Sequence, residues 1–437
     1  MGLITRIEAA RSGAMLDAFC RVAETEYHQP EFIRDEVAAG RIVIPANRSR
    51  DGIQAIGVGR ALRTKININL GSSSLIDSHE GELAKLRCAL NAGTDTVMDL
   101  STGAGADDIR ARILEASPVP VGTVPIYQAV GMVDDIPALS ASLLLEVIEH
   151  QARQGVDFMT IHAGLLHAQL PAAKQRLLGI VSRGGSILAQ WMTAHQRENP
   201  LYEDFDKVLD ICRRHDVTLS LGDGMRPGCL ADASDTAQFA ELDVLGDLVL
   251  RCRAAGVQAM VEGPGHIPLH QIEMNMKKAE AACHGAPFYI LGPVVADCAP
   301  GYDHIGSAIG AALGAYHGAA LLCCVTRTEH IGLPDCADIH EGAMAFRLAA
   351  HAADVALGRA HARDRDDAVS AARRDFDWEK QFELSLDPEL ARRMRSEALK
   401  KSAPAPESDD KYCTMCGPKY CAMRISRDTF HSEIGHE

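Results

Sequence analysis

Short apolar segments alternate with amphipathic segments of helical length through most of this chain. The apolar segments are rich in β-branched residues and occur at 66–70, 96–100, 119–124, 158–162, 179–182, 217–222, 258–262, 288–291 and 321–326. The segments between them carry apolar residues at helical spacing, as at 80–91, 107–116, 139–154, 205–215 and 235–255. Strands that alternate with helices form a parallel sheet with crossover helices.

The predicted fold class is therefore α/β, and the number of strands narrows it further. A (β/α)8 barrel needs eight strands and about 250 residues, so one of the nine segments would be peripheral. The glycine-rich fingerprints of dinucleotide-binding and P-loop folds follow none of the predicted strands. We predict a (β/α)8 barrel over residues 41–337.

Helical segments are predicted on both sides of this barrel. Residues 1–40 show apolar residues at helical spacing, and residues 338–400 are again helical, with no strand to cover. The second region would bury its apolar face on another helix or on a second subunit. Residues 401–437 combine a polar linker that contains prolines with a cysteine-rich tail, so we predict a flexible arm that carries a metal cluster.

Charge and cysteine usage limit the partners and the compartment. A net charge of −15 at pH 7 argues against nucleic acid or an anionic membrane as the main partner. Ten of the thirteen cysteines are scattered outside the tail, unlike a secreted disulfide framework. The N-terminus carries charge where a signal peptide needs an apolar core. These features predict a cytoplasmic, reduced protein.

Three cysteines of the tail, Cys413, Cys416 and Cys421, follow the spacing C-x2-C-x4-C. Thiolates at this spacing can bind one soft metal centre. A [4Fe–4S] cluster with three cysteine ligands has one iron open to a substrate or cofactor. The residues alone leave two alternatives, which are a structural zinc completed by a residue such as His431 and a redox thiol pair.

Polar residues and glycines follow nearly every predicted strand. In a (β/α)8 barrel the catalytic residues lie at these C-terminal strand ends. The residues are Asn69, Met98, Asp99, Tyr127, His162, Ser182, Arg183, Gly184, Gly185, Asp223, Gly224, Met225, Arg226, Glu262, His266, Tyr289, Asp303, His304 and His330. Each one could be an ordinary turn or hydrogen-bonded loop residue. Their convergence on one end of the barrel predicts an active site.

Particular residues of this set indicate particular ligands. Residues 182–185 and 223–228 offer backbone N–H groups and guanidinium groups suited to a phosphate. Glu262, His266 and His330 could hold a divalent metal. Cys323 follows the last strand and is either a residue of the mouth or a small core residue. The residues therefore support either a radical enzyme with a three-cysteine cluster or a zinc-stabilised, aldolase-like barrel enzyme.

Nine stretches over nearly the full chain resemble the phosphomethylpyrimidine synthase (ThiC) family. They lie at 62–67, 96–103, 122–128, 157–164, 181–186, 220–228, 261–266, 299–304 and 413–421. The resemblance implies a (β/α)8 barrel, a homodimer formed by the C-terminal helical region, and a radical S-adenosylmethionine lyase that acts on 5-aminoimidazole ribotide. It also implies a reducing partner of the flavodoxin or ferredoxin type.

The resemblance also implies roles for individual residues. Cys413, Cys416 and Cys421 would ligate the [4Fe–4S] cluster, whose open iron binds S-adenosylmethionine. His266 and His330 would hold a second divalent metal, zinc or iron. Glu262 and Cys323 are predicted to act directly in catalysis. The ribotide site would comprise Asn69, Met98, Tyr127, His162, Ser182, Arg183, Gly184, Asp223, Gly224, Met225, Arg226, Glu262 and Tyr289.

The sequence departs from the family pattern in four places. Arg50 stands where the family usually has histidine, residues 67–73 differ, Cys298 replaces isoleucine, and Cys324 and Arg327 replace tyrosine and proline. Such changes around a retained site could redirect the radical intermediate. We therefore predict the product of the family's paralogue, 5-hydroxybenzimidazole for anaerobic cobalamin. The alternative is phosphomethylpyrimidine synthase, which makes 4-amino-5-hydroxymethyl-2-methylpyrimidine phosphate for thiamine.

Overall fold

The computed structural model describes residues 4–50, 52–73, 78–103, 105–401 and 412–432. The predicted linker falls mostly on residues 402–411, which lie outside the described residues. The chain forms two compact units, Met1–Ala360 and His361–Glu437. The first unit contains every described strand, and the described part of the second unit is helical.

Eight parallel strands close into a barrel in the first unit. They are β3 (Lys65–Leu70), β4 (Thr96–Asp99), β5 (Val121–Thr123), β6 (Phe158–Ile161), β7 (Thr218–Leu221), β8 (Ala259–Gly263), β9 (Phe288–Leu291) and β10 (Leu321–Cys323), and an antiparallel pair, β1 (Ile42–Val43) and β2 (Val58–Gly59), precedes them. Pairing of Leu321 with Lys65 and of Cys323 with Asn67 joins the last strand to the first. The predicted (β/α)8 barrel is confirmed.

One predicted strand is wrong. Residues 179–182 form a loop that leads into the helix beginning at Arg183. The Ser182 side chain caps that helix by accepting a hydrogen bond from the Gly185 N–H at 3.1 Å. The short apolar run therefore belongs to a helix start rather than to the sheet, which leaves eight strands for the barrel.

Helices surround the barrel and make up the second unit. In the first unit they are α1 (Arg6–Arg11), α2 (Asp17–Glu26), α3 (Pro30–Ala38), α4 (His79–Asn91), α5 (Ala106–Ala116), α6 (Pro125–Gly131), α7 (Ala141–Gln154), α8 (Leu170–Ala173), α9 (Arg183–His195), α10 (Pro200–Glu203), α11 (Phe205–His215), α12 (Thr236–Ala254), α13 (Ile272–Ala282), α14 (Asp303–Tyr316) and α15 (Cys336–Ala356). The second unit has α16 (Asp364–Arg374), α17 (Trp378–Leu384), α18 (Pro388–Lys400), α19 (Gly417–Tyr420) and α20 (Ala422–Ser432). Within the described residues, no helix combines the length and apolar character that crossing a membrane requires.

Apolar and polar side chains alternate along the strands, so that one face packs in the core and the other lines the barrel interior. On β7, Leu219 and Leu221 are fully buried in the large core between the strands and the helices. Ser220 lies between them and donates a hydrogen bond to Glu262 inside the barrel at 2.8 Å. Successive side chains of a strand point to opposite faces, so a leucine–serine–leucine sequence gives an apolar outer face and a polar interior.

The N-terminal helices are fastened to the end of the barrel where the strands begin. Lys65, at the start of β3, is 1% exposed and lies 2.8 Å from the Glu26 carboxylate at the end of α2. Glu26 also accepts a hydrogen bond from the Arg63 N–H at 2.7 Å. Burial and the charge of Arg63 lower the pKa of Lys65, and the Glu26 carboxylate counteracts them. This buried ion pair attaches α2 beneath the barrel.

Arg50 belongs to the same end of the barrel. Its guanidinium group pairs with Asp157, which precedes β6, and donates to the carbonyl oxygens of Leu114 and Ser117 at 2.9 and 2.5 Å. Asp157 also accepts from the N–H groups of Asn47 and Val121 at 2.7 and 2.8 Å. Burial raises the pKa of Asp157 to about 6, and Arg50 counteracts that effect. Arg50 is therefore a structural residue far from the strand ends that carry the predicted site.

We expect Arg50→Ala to lower the free energy of unfolding by about 3–5 kcal/mol, because it leaves the buried Asp157 carboxylate without its cation. The control is Arg21→Ala, which removes an exposed ion pair with Asp17 and should change stability by less than about 1 kcal/mol. Urea unfolding followed by circular dichroism measures both. Equal stability of the two variants would contradict the structural role of Arg50.

Candidate active site

An open cavity lies at the C-terminal ends of the barrel strands. Its wall includes nine predicted site residues, which are Asn69, Met98, Tyr127, His162, Asp223, Arg226, Glu262, Tyr289 and Cys323. Each barrel strand, or the loop after it, contributes at least one of them. The structure thus brings the dispersed motifs together where a (β/α)8 barrel places its chemistry.

Glu262 is held inside the cavity by two hydroxyl groups. Thr160 Oγ1 and Ser220 Oγ donate to the same carboxylate oxygen at 2.6 and 2.8 Å. Burial raises the pKa of Glu262, although both hydroxyl groups and Arg226 oppose the change. Sequence reasoning missed Thr160 and Ser220. The two-residue period of a strand could have found Thr160, since it precedes His162 by two and shares its inward face.

Asp223 and Arg226 form an ion pair across the turn after β7, with 3.1 Å between Asp223 Oδ1 and Arg226 Nη1. Burial raises the pKa of Asp223 to about 7, even though Arg226 favours the carboxylate. The turn therefore presents both a guanidinium group and a carboxyl group that titrates near neutral pH. This combination can bind an anion and accept or release a proton.

His162 faces the same cavity as an uncharged group. Burial, together with the charge of Arg226, lowers the pKa of His162 to about 3, so its imidazole is neutral at physiological pH. Its Nδ1 atom has no hydrogen-bond partner within the described part of the chain. Arg183 lies over the Tyr127 ring with 5.1 Å between the guanidinium carbon and the ring centroid. A neutral ring with a free nitrogen fits a hydrogen bond to a polar ligand.

Two glycine-containing turns pack directly on each other beside the cavity. A Cβ atom on Gly185 would lie 2.4 Å from the carbonyl oxygen of Gly224, and one on Gly184 would lie 2.4 Å from the His162 ring. Only glycine permits this approach. The predicted site residues Ser182, Gly184, Gly224 and Met225 therefore shape the two turns and do not line the cavity, whereas Arg183 lines a neighbouring one.

Cys323 lies in the cavity wall as a protonated thiol. Asn69 Nδ2 donates to its sulfur at 3.2 Å. Burial raises the pKa of Cys323 to about 12, with small opposing effects from Tyr289 and Asn69. A thiol with this pKa is a poor nucleophile at neutral pH. The structure thus places Cys323 at the mouth, and its catalytic role stays a prediction.

His266 and His330 come together near the cavity, with 5.2 Å between their ring centroids. His266 Nδ1 lies 2.7 Å from Asp297 and His330 Nδ1 lies 2.9 Å from Asp303. A carboxylate on one ring nitrogen is the usual support for a histidine that binds metal through the other. The two imidazoles therefore fit a divalent metal. Sequence reasoning missed Asp297, since its loop carries no recognisable spacing to His266.

The three tail cysteines belong to the second unit. Cys416 precedes α19 and Cys421 precedes α20. Burial raises the pKa of Cys413, but N–H groups of Cys416 and Met415 outweigh it and lower the value below that of an ordinary thiol. Within the described residues, no three histidine, cysteine or acidic side chains form a ready-made metal site. The donor set is nevertheless chemically suited to iron, because three thiols lie within nine residues and one favours the thiolate.

The whole sequence is similar to a known protein family and to several named proteins. A family model described as the radical SAM ThiC family matches residues 5–428. The phosphomethylpyrimidine synthase of Natronomonas pharaonis is 55% identical over 429 residues, which are 98% of this chain and 89% of that protein. The proteins of the same name from Halobacterium salinarum and Haloarcula marismortui are 53% and 52% identical, each over 97% of this chain and 88% of the relative.

Solved structures with a similar arrangement include dihydropteroate synthases. The Yersinia pestis protein gives a TM-score of 0.40 at 12% identity and covers 68% of this chain and 95% of its own. The Burkholderia cenocepacia protein gives 0.38 at 12% identity and covers 72% and 100%. A likeness of this size carries no information on function.

Proposed function

The chain belongs to the radical SAM ThiC family and is a radical SAM enzyme, and we propose that it is a phosphomethylpyrimidine synthase. Its substrate would be 5-aminoimidazole ribotide and its product 4-amino-5-hydroxymethyl-2-methylpyrimidine phosphate for thiamine. The observation that carries this proposal is the 55% identity over 98% of the chain to a protein of that name. Because the chain belongs to this family, the alternative of a zinc-stabilised, aldolase-like barrel enzyme is rejected.

The prediction of 5-hydroxybenzimidazole as the product is not supported, because the relatives carry the name of the alternative. The positions of three of the substituted residues agree with this correction. Arg50 lies at the opposite end of the barrel, and Cys298 is exposed. Arg327 pairs with Asp338 and Glu341 at the start of α15. None of these three residues lines the cavity, so we infer that they leave the product unchanged.

Cys324, which replaces a tyrosine, is buried and lines the neighbouring cavity together with Arg183. The departure at residues 67–73 preserves the support of a cavity residue. Asn67 Nδ2 donates to Asn69 Oδ1 at 2.9 Å and Asn67 Oδ1 accepts from Thr96 at 2.8 Å. Ile68 and Leu70 instead pack in the apolar core. The substitutions at Ile68 and Leu70 therefore fall on core positions, and the asparagine that orients Asn69 is kept.

The ribotide would occupy the cavity at the mouth of the barrel. Arg226 and Arg183 would bind its phosphate, since guanidinium groups make paired hydrogen bonds to phosphate oxygens. The carboxyl groups of Asp223 and Glu262 and the neutral His162 would orient the sugar and the amino group through hydrogen bonds. Leu100, Val124 and Ile290 provide the apolar part of the wall.

Cys413, Cys416 and Cys421 would hold a [4Fe–4S] cluster with S-adenosylmethionine at its open iron. When bound and reduced by one electron, this group supplies a 5′-deoxyadenosyl radical that abstracts hydrogen from the ribotide. A flavodoxin or ferredoxin would supply the electron. A homodimer through the helices of residues 338–400, with a mobile cluster arm, is part of the same proposal.

His266 and His330 would hold a second divalent metal, zinc or iron. Asp297 and Asp303 fix the tautomer of each ring, so that both Nε2 atoms remain available as ligands. Two protein ligands would leave coordination positions for water or for the substrate.

Anaerobic turnover tests the proposed product. The chain with reconstituted cluster, reductant, S-adenosylmethionine and 5-aminoimidazole ribotide should form a phosphorylated aminopyrimidine, identified by mass and ultraviolet spectrum. Formation of 5-hydroxybenzimidazole would instead restore the cobalamin prediction. Absence of both products from a chain that cleaves S-adenosylmethionine would contradict the substrate.

Cys416→Ser should abolish cleavage of S-adenosylmethionine and reduce bound iron, while circular dichroism stays unchanged. The serine hydroxyl is a poor ligand for an iron–sulfur cluster. Cys20→Ser is the matched control, because Cys20 is exposed in the first unit and should tolerate the change. Cleavage retained by Cys416→Ser would refute the ligand assignment.

His266→Ala should weaken binding of zinc or iron at the second site by at least about tenfold, measured by metal content after dialysis against a chelator. His167→Ala, which changes an exposed histidine, is the control and should retain the wild-type content. Iron held by the tail is counted separately in a Cys416→Ser background. An unchanged metal content in His266→Ala would count against the pair.

A further inference from the structure

Glu241 lies directly behind the turn that carries Asp223 and Arg226. It projects from α12, is 2% exposed, and accepts a hydrogen bond from the Met225 N–H at 2.7 Å. The nearby Gly224 amide favours the charged form of this carboxyl group. The turn is therefore attached to a side chain of α12, a position outside all nine stretches that resemble the family.

The contact between Glu241 and the turn is close. A Cβ atom on Gly224 would lie 2.9 Å from Glu241 Oε1, and one on Gly164 would lie 3.2 Å from Glu241 Cγ. Both glycines leave room for the carboxyl group. Because Gly224 also packs against Gly185, a movement of Glu241 would be transmitted to both turns beside the cavity.

A second, smaller cavity, with room for about one water molecule, lies between Glu241 and the substrate cavity. Asp223, Arg226 and Glu262 line both cavities, and Glu241, Gln238 and Asn275 line only the smaller one. Asp223 Oδ2 and Glu241 Oε1 are buried and have no partner among the described residues. Buried carboxyl oxygens almost always have one. A water in this cavity could bond to both atoms.

The surroundings of Glu241 make it unfavourable for Glu241 and Asp223 to be ionised at the same time. Burial and, to a smaller extent, the charge of Asp223 together raise the pKa of Glu241 to about 8, although the Met225 and Gly224 amides oppose the change. The other charged groups around the pair are Arg226, Glu262, Arg176 and Asp235. A proton on one carboxyl group removes the repulsion and gives the pair a hydrogen-bond donor.

We propose that Glu241 is a positioning residue for the ribotide site. It holds the 223–226 turn through the Met225 amide and shares one proton with Asp223 through a water in the smaller cavity. Asp223 is thereby fixed in one orientation, with Oδ1 directed to Arg226 and Oδ2 to the shared proton. The link to ribotide binding rests on the proposed function, whereas the shared proton does not.

Carbon NMR of the chain with glutamate labelled at the side-chain carboxyl tests the shared proton without any ligand. Comparison with Glu241→Gln identifies the Glu241 resonance, which should titrate near pH 8. Asp223→Asn should move this midpoint to lower pH, because it removes a negative charge that raises the pKa of Glu241. A midpoint in the ordinary range of glutamate, or one that Asp223→Asn leaves in place, would overturn the proposal.

Binding of 5-aminoimidazole ribotide, measured by calorimetry, tests the positioning role. Glu241→Ala should weaken binding roughly tenfold or more, since the buried Met225 amide loses its acceptor. Glu241→Gln keeps an acceptor oxygen and should bind within about threefold of the wild type at neutral pH. Asp247→Asn, which removes an exposed carboxylate from α12, is the control and should bind as the wild type does.

The titration and the binding measurement test different parts of the proposal, and either part can be refuted without the other. Unchanged ribotide affinity in Glu241→Ala would overturn the positioning role even if the proton is shared. A chain that binds no ribotide in its wild-type form would refute the proposed substrate, and the titration would still decide the shared proton. If Glu241→Ala does not fold, the pH dependence of binding in Glu241→Gln replaces it, and a profile identical to the wild type would overturn the proposal.

Discussion

Closure of the eight strands determines where every functional side chain of the first unit lies. Pairing of β10 with β3 brings the first and last strands side by side, so residues some 250 positions apart, Asn69 and Cys323, touch at 3.2 Å. The two-residue period then sends hydroxyl and carboxyl groups inward and leucines outward. The polar interior depends on this geometry, since its members have few partners nearby in sequence.

Burial is the second determinant, and it has a cost in stability. Asp223, Glu241 and Glu262 lie close together in the interior with Arg226, and burial raises the pKa of each carboxyl group. Buried carboxylates this close together repel each other and lose their hydration. They therefore destabilise a fold unless they are protonated or paired with cations. At the opposite end of the barrel, Asp157 has a full set of partners. The unpartnered carboxyl oxygens of Asp223 and Glu241 thus lie beside the site, where incomplete pairing can serve function.

The sequence predicted the barrel and nine residues of its cavity wall, because both follow from strand spacing and from strand ends. It failed where the result depends on tertiary contacts. A short apolar run does not distinguish a strand from a helix start, so residues 179–182 were assigned to the sheet. Arg50 was placed near the site because its segment belongs to a motif, although its partner Asp157 lies beneath the barrel. Glu241 lies on helix α12, so a prediction that considers only the ends of strands does not include it.

The cavity wall suits a reaction whose intermediate carries no charge. His162 is neutral, Cys323 remains a thiol, and the pKa values of Asp223 and Glu262 are raised by burial. A carbon radical gains little from a fixed charge, whereas an ionic transition state is stabilised mainly by one. Apart from Arg226, whose guanidinium group would bind the phosphate, such a wall can hold a substrate by hydrogen bonds and shape while leaving the radical undisturbed. Control of the product would then lie in geometry, in the two packed turns and the carboxyl group behind them.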